Sequence, residues 1–401
     1  MTLTIMHTGD EHVDTDAHGA MNPKTGLNTA WESNQRVMRH LAEVAVERKV
    51  QAFLSCGDLT KTGRPSQEAV ALIVDAYTPL ATAGIPIIFL DGNHHLTGVP
   101  SDHRTIIHTV AEMLRGRGAT VHIASDPKLI RLDSGLQIAA LPWLGKNRIL
   151  NMLDVVDLTP AAGDTRVAEY AMNALERMAE EADNDSPLIM ASHVTVDDVR
   201  IDAVADGFRR GSEMELAHLF SEPVLPRKSL ELLPFAYGAL SHIHTPQAMG
   251  KKYWYAGSPN RLTFTDMKDE KGGNLVTIGE RGLISVERIL TPARKMAQID
   301  LDVAGFAAAL DILEPGTLVR VLLETGNPEI PREIRKAITS AGAILAETKP
   351  RPKPRETVAS MVLPEKVDPG TALRAWAAHN APKGVDVEQL VAAAEKLDSA
   401  A

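Results

Sequence analysis

With a single cysteine in 401 residues, the chain cannot form an internal disulfide. Cys56 closes an apolar run, so it reads as a buried thiol of a reducing compartment with no catalytic part. Nowhere do eighteen or more apolar residues follow one another, which excludes a membrane-spanning helix. The opening Met1-Thr2-Leu3-Thr4-Ile5-Met6 has neither the basic start nor the long apolar core of a secretory signal; it reads as a first β-strand and points to the cytoplasm. Basic charge is short as well. Lys and Arg number 42 against 52 Asp and Glu, a formal net charge of -10. This argues against a chain that grips nucleic acid with a uniformly basic surface, because phosphate neutralisation needs clustered Lys and Arg. It leaves DNA open, since a site for divalent cations needs surplus carboxylates and a partner subunit can supply backbone contacts.

What the chain does contain is 44% hydrophobic and 23% charged residues, the balance of a soluble globular protein. Its length exceeds what one core usually supports, so a large domain with smaller additions is expected. Up to about residue 290, short apolar runs alternate with amphipathic helices. Ala52 to Ser55 is followed by a helix from Ser66 to Ala81, then by Ile85 to Leu90. Further strands are predicted at Gln137 to Leu141, Leu188 to Ala191, Phe235 to Tyr237, Tyr253 to Ala256, Leu275 to Ile278 and Ile284 to Val286, and helices at Thr29 to Arg48, Thr105 to Arg115 and Arg166 to Glu181. The expected fold class is α/β, a two-sheet β-sandwich flanked by helices, over 1–290. A small α+β unit is expected over 291–348, with strands at Gln298 to Leu301, Leu318 to Leu323 and Ala343 to Glu347. The basic, proline-rich 349–365 reads as an extended linker, and 366–401 as a helix-loop-helix tail with Asp386 capping its second helix.

The chemistry lies where Asp, Asn and His meet strand ends. The first strand runs into His7-Thr8-Gly9-Asp10-Glu11-His12, which in an extended backbone puts Asp10 and His12 on one side. Gly57-Asp58, Gly92-Asn93-His94-His95, Ser192-His193 and Ser241-His242-Ile243-His244 end four further strands. Residues just past the carboxyl ends of neighbouring strands in an α/β sheet converge in one crevice. A mixed set of carboxylates, imidazoles and one amide, without thiolates, suits hard or borderline divalent metals such as Mn²⁺ or Mg²⁺. Asp10, His12, Asp58, Asn93, His193, His242 and His244 suffice to hold two such ions, with Asp58 the natural bridge.

In order and spacing these blocks resemble the calcineurin-like metallophosphoesterase family, with its D-x-H, G-D, G-N-H, H and G-H-x-H pattern. Within that family the chain looks like the SbcD-like double-strand-break repair nucleases, on the strength of Gly57-Asp58-Leu59 leading to Gly63-Arg64-Pro65-Ser66, of Phe235 through Gln247, and of Tyr255-Ala256-Gly257-Ser258-Pro259. The resemblance implies one ion held by Asp10, His12, Asp58 and His244, and a second by Asp58, Asn93, His193 and His242. It implies that His94 stands by the scissile phosphate, to steady charge or protonate the leaving oxygen, and that water activated by the cations attacks in line. It also implies a capping domain, a C-terminal helical tail docking an SbcC-like ABC-type ATPase, a homodimer, and DNA as substrate, hydrolysed exonucleolytically or endonucleolytically with Mn²⁺.

The chain departs from the family pattern at three positions: Lys61 three residues after Asp58, His95 after Asn93-His94, and Ser241 before His242. A lysine at 61 cannot accept a hydrogen bond from imidazolium; it is a candidate phosphate contact instead. Arg64, Arg209 and Arg210 are candidate contacts to a DNA backbone, although surface arginines are usually just solvated. His7, His18 and His95 match no ligand position and read as structural. Two rival readings stay open: a phosphodiesterase for cyclic nucleotides or nucleotide diphosphates, favoured by the acidic charge, and a scaffold that binds its partner without useful catalysis.

Overall fold

The computed structural model describes residues 2–95, 104–155, 158–199, 222–280, 282–303, 306–323 and 329–350, and, near the C-terminus, 374, 386–389 and 391–392. Arg209, Arg210, the linker from residue 351 onward and most of the helical tail lie outside the described residues. The chain divides into two compact units, Met1–Pro352 and Lys353–Ala401. In the second, Asp386 accepts the backbone N–H groups of Glu388 and Gln389 at 3.0 and 3.2 Å, the cap its position predicts, and Arg374 pairs with Glu388.

Two six-stranded sheets make the body of the first unit. One comprises β1 (Leu3–Thr8), β2 (Ala52–Ser55), β3 (Ile87–Leu90), β4 (Val121–Ala124), β13 (Gly272–Gly279) and β14 (Gly282–Leu290), in the order β14-β13-β1-β2-β3-β4. The other comprises β5 (Lys128–Arg131), β6 (Gln137–Leu141), β7 (Leu188–His193), β10 (Gly238–Ser241), β11 (Gln247–Met249) and β12 (Tyr253–Tyr255), in the order β11-β12-β10-β7-β6-β5. A short parallel pair, β8 (Thr195–Val196) and β9 (Val224–Leu225), stands apart from both. Successive side chains on a strand face opposite ways, and the burial follows that period. Ile5, Leu54, Ile88, Ile138 and Ile189 fill the space between the sheets. Their neighbours Met6, Phe53 and Phe89 turn outward under α1 (Thr29–Glu47), α2 (Gln67–Ala83) and α3 (Ile106–Arg115). Ala139 and Met190 turn outward under α5 (Pro160–Glu181). Strands buried on both faces carry continuous apolar runs, which is why they were legible.

Some bounds differ from expectation. The strand expected at Phe235 to Tyr237 forms at Gly238–Ser241 instead, since β7 and β12 on either side set the pairing and the bare Cα of Gly238 makes room for the Tyr253 ring, 2.0 Å from where a Cβ would stand. Helix α5 starts at Pro160 rather than Arg166, because Thr159 caps the Ala162 N–H and proline suits a first helical position. Short elements with little periodicity went unseen, among them β4, β5, α4 (Lys146–Met152) and α6 (Arg227–Leu232).

Beyond β14, a three-stranded sheet of β15 (Met296–Asp300), β16 (Leu318–Leu323) and β17 (Ile344–Pro350) packs with α7 (Phe306–Asp311) and α8 (Arg332–Ser340) around its own core of Ile299, Val319, Val321, Ile334 and Ile338. Lys349 and Pro350, the first two residues of the expected linker, pair with Leu322 and Leu323 as the end of β17. An edge strand tolerates proline, whose missing N–H the sheet does not need there.

The layering predicts unequal costs of truncation. Leu54→Ala, fully buried between the sheets, should lower unfolding free energy by about 2–5 kcal/mol in a urea titration. Leu232→Ala, 86% exposed, should change it by less than about 0.5 kcal/mol. Equal midpoints for the two variants would contradict the layering.

Candidate metal centre

The carboxyl ends of β1, β2, β3, β7 and β10 open into one pocket, and the loops leaving them bend sharply. Asp10, His12, Asp58 and His242 all have positive φ, at 54°, 43°, 52° and 96°. Non-glycine residues hold such angles only where their surroundings impose them, at about 1–3 kcal/mol each, and they cluster at functional sites. Asp10 and His12 therefore converge through a turned loop beyond β1 rather than through the pleat of an extended strand, which corrects the expectation. Backbone bonds from the Asp10, His12 and Val13 N–H groups to the Gly57, Asp58 and Leu59 carbonyls tie this loop to the one after β2.

Both acidic groups are buried and engaged. Asp10 accepts the His242 backbone N–H at 3.0 Å, joining the first strand end to the last. Asp58 Oδ1 accepts the His94 N–H at 3.0 Å, and its Oδ2 lies 3.3 Å from His193 Nε2 and 3.8 Å from His12 Nε2. Burial alone would raise the Asp58 carboxyl, but the facing His193, His12 and His94 imidazoles outweigh it and hold the group well below the usual range. Burial opposes charge on His193 too, yet Asp58, Asp10 and the Cys56 carbonyl raise its pKa to about 9. Ligand atoms fall into sets lying within 4.8 Å of one another: Asp10, His12 and His244; His12, Asp58 and His94; and Asp58, His193 and His242. Asn93 joins the last, its Oδ1 3.0 Å from His193 Nε2.

The donor set fits divalent cations. His12 Nε2 and His244 Nε2 are 3.2 Å apart. His193 Nδ1 is committed to the Cys56 carbonyl at 2.9 Å, which turns Nε2 toward the Asp58 and Asn93 oxygens. Lone pairs so crowded repel unless a proton or a cation lies between them. Glycines make the approach possible. A Cβ on Gly57, whose φ is 106°, would stand 2.2 Å from His193 Nδ1, and one on Gly92 would stand 2.1 Å from Asp58 Oδ1.

His94 sits at the mouth with its side chain 19% exposed, Nδ1 3.0 Å from the Lys61 carbonyl and Nε2 4.0 Å from Asp58 Oδ2. Lys61 thus meets the imidazole through its main chain, which removes the objection that its side chain cannot accept a hydrogen bond. Ser241 is accommodated by Gly9, where a Cβ would lie 2.2 Å from its Oγ. His95 is buried, its ring nitrogens 2.9 Å from Gly92 N and 3.3 Å from Thr60 N, so it locks one loop to the next. His7 is likewise buried, against Tyr237 OH and the Leu240 carbonyl, and burial pushes its pKa down to about 3. Arg64 is exposed and lines an open depression of about 660 Å³ with Arg104, Thr105 and His108.

Several residues at the site escaped the sequence. Glu222 places both carboxylate oxygens 3.2–3.3 Å from His242 Nε2 and accepts the Thr195 hydroxyl; it comes from a loop with no pattern to mark it. The Trp143 ring lies 5.0 Å from that of His242. Buried Lys271 donates to the His244 carbonyl and to Ser258 Oγ, both at 2.9 Å, and pairs with Asp266 and Asp269. The Ser258 N–H also bonds the His244 carbonyl, so Tyr255 through Pro259 acts as the support of the His242-Ile243-His244 turn. Glu11 is buried on Ser55 Oγ and Tyr77 OH, and burial, with the Asp10 charge adding, raises its pKa to about 8.

A two-sheet α/β sandwich with buried carboxylates and imidazoles gathered at its strand ends is the frame of a metal-binding phosphoesterase. The chain belongs to the calcineurin-like phosphoesterase family, whose sequence pattern matches residues 3–231. It is 24% identical over 321 residues to the SbcD component of the SbcCD nuclease of Escherichia coli strain K12, covering 77% of this chain and 74% of that protein. It is also 24% identical over 375 residues to the DNA double-strand break repair protein Mre11 of Methanopyrus kandleri, covering 88% and 72%. Among solved structures, a dimetal phosphatase from Danio rerio aligns at 13% identity with a TM-score of 0.37, over 72% of this chain and 99% of that one. The protein is a metallophosphoesterase related to the SbcD and Mre11 nucleases.

Two outcomes are expected here. Gly57→Ala meets both a disfavoured φ and the His193 ring, so in chelator-treated protein it should lower the melting temperature and, after dialysis, abolish binding of one Mn²⁺ by calorimetry. A raised imidazole pKa means that His193 holds a proton at pH 7, which must leave when a cation takes Nε2. Titration of Mn²⁺ in buffers of different ionisation enthalpy should therefore show proton release at pH 7 that fades toward pH 9, with affinity rising over the same window.

Proposed function

We propose that the chain is an SbcD-like nuclease that hydrolyses DNA phosphodiesters with two divalent ions, Mn²⁺ by preference. The observation that carries this reading is the convergence of Asp10, His12, Asp58, Asn93, His193, His242 and His244 from five strand ends into one set, buried except for the half-buried Asn93 and His244, with His94 beside it. Asp10, His12, Asp58 and His244 would hold one ion, and Asp58, Asn93, His193 and His242 the other, Asp58 bridging. Bound there, such ions supply Lewis acidity at the phosphoryl oxygens and lower the pKa of attacking water. The protein's own part is positional. Gly57 and Gly92 leave room for the ligand candidates to approach one another, and His94 Nε2 faces into the site, 4.0 Å from Asp58 Oδ2. With hydrogens on both ring nitrogens, His94 would give its Nε2 proton to the electron pair of the phosphorus–deoxyribose oxygen bond as that bond breaks and the bond from water oxygen to phosphorus forms, the proton shed by the water passing to solvent.

The relatives named as a nuclease component and a break-repair protein support DNA as the substrate. The likeness to that subfamily supports an SbcC-like ATPase as partner, docked through 366–401, together with a homodimer in the cytoplasm. No helix of the described residues is long and apolar enough to cross a membrane. The net charge of -10 favours a second reading, a phosphodiesterase for cyclic nucleotides or nucleotide diphosphates, whose small substrates need no basic surface.

The test is degradation of single- and double-stranded DNA with Mn²⁺, alone and with the ATPase, beside turnover of cyclic nucleotides. His94→Ala should slow DNA cleavage about 10²–10⁴-fold while Mn²⁺ still binds. Intact DNA under every condition, with cyclic nucleotide consumed, would replace the first reading by the second.

A further inference from the structure

The His94 ring is held through Nδ1, 3.0 Å from the Lys61 carbonyl. A carbonyl oxygen only accepts, so Nδ1 carries the hydrogen and Nε2 is the atom left to the pocket. The carbonyl sits in an irregular polar loop between β2 and α2. What steadies it comes from elsewhere in the chain, the β1–α1 loop. The Asp14 carboxylate accepts the Lys61 N–H through Oδ1, and through Oδ2 the Thr62 N–H at 3.2 Å and the Thr62 hydroxyl at 2.7 Å. The Thr62 N–H and the Lys61 C=O belong to one planar peptide unit, in which they point opposite ways. Gripping the N–H on one side therefore aims the carbonyl toward the other, where His94 stands. The grip is charge-assisted and threefold, stronger than a neutral bond to a loop of this kind.

We propose that Asp14 is the positioning residue of His94: it fixes the Lys61–Thr62 peptide, the peptide fixes Nδ1–H, and Nε2 is thereby aimed at the leaving oxygen. This rests on the reading in which His94, carrying a second hydrogen on Nε2, protonates that oxygen. It assigns to an aspartate two residues beyond His12, outside the proposed ligand set, the orienting task that a side chain at 61 does not perform here. The buried His95 ring lies between Thr60 N, at 3.3 Å, and Gly92 N, at 2.9 Å, and packs against the same loop.

The test compares a DNA oligonucleotide, whose alkoxide must be protonated, with bis(p-nitrophenyl) phosphate, whose phenolate departs without a proton. Asp14→Ala should lose roughly ten-fold or more on DNA relative to its loss on the activated ester, the selectivity expected of His94→Ala as well. The double variant should be no slower on DNA than His94→Ala alone, as for two residues acting in one chain of contacts. Asp14→Asn, of the same shape and keeping one acceptor oxygen, should recover part of the loss and serves if the alanine variant folds poorly. Independently of turnover, ¹⁵N spectra of the neutral His94 ring should show hydrogen on Nδ1 in the wild type and a tautomer mixture in Asp14→Ala. Equal losses on both substrates, additive losses in the double variant, loss of Mn²⁺ binding, or an unchanged ring spectrum would each overturn the assignment. If the wild type cleaves neither substrate, the functional reading falls and the spectra alone decide the role of Asp14.

Discussion

Everything at the site depends on two carboxylates, Asp10 and Asp58, kept out of water. An ion moved from water into a protein interior costs several kcal/mol even after relaxation, so it persists only when its surroundings neutralise it. Here His193, His12 and His94 face Asp58, and the His242 backbone N–H caps Asp10. The surroundings must then be held as firmly as the charges. That requirement explains the left-handed turns at Asp10, His12, Asp58 and His242, the glycines at 57 and 92, and the backbone bonds stitching the loop after β1 to the loop after β2.

Labour is divided between sheets and loops. The sandwich supplies stiffness, with both faces of β1, β2, β3 and β7 buried, while short turns at the strand ends choose direction. Around them lies a set of supports that touch the ligand candidates from behind. Lys271 and Ser258 hold the His244 carbonyl, Glu222 meets His242 Nε2, Cys56 engages His193 Nδ1, and the Lys61 carbonyl engages His94. Such partners orient an imidazole and choose its tautomer, so they act on the chemistry without touching a substrate. Two of the blocks that mark the chain in sequence, Phe235 to Gln247 and Tyr255 to Pro259, turn out to be one structural unit of this kind.

How far these features could be read beforehand follows from their range. Strands covered on both faces announce themselves as apolar runs, and helices such as α1 by their period, so most elements fell within a few residues of expectation. The strand at Gly238–Ser241 did not, because a glycine and a serine look like a turn until the strands beside them impose pairing. The ligand candidates were legible because each follows a strand, and strand ends converge by topology. Glu222, Trp143, Lys271 and Asp14 were not. Each matters through a contact with something remote in sequence, and no local pattern encodes such a meeting.

By itself, then, the order of residues determined the α/β alternation and which Asp, Asn and His lie at strand ends. These are local properties of period, composition and spacing. Tertiary structure alone decided that Asp10 and His12 converge through a turned loop, and that the Lys61 main chain rather than a side chain meets His94. It also decided that a buried lysine and a loop glutamate stand behind the histidines. The physical reason is that hydrogen bonds and charges act over a few ångströms of space, and only the closed fold brings those groups within reach.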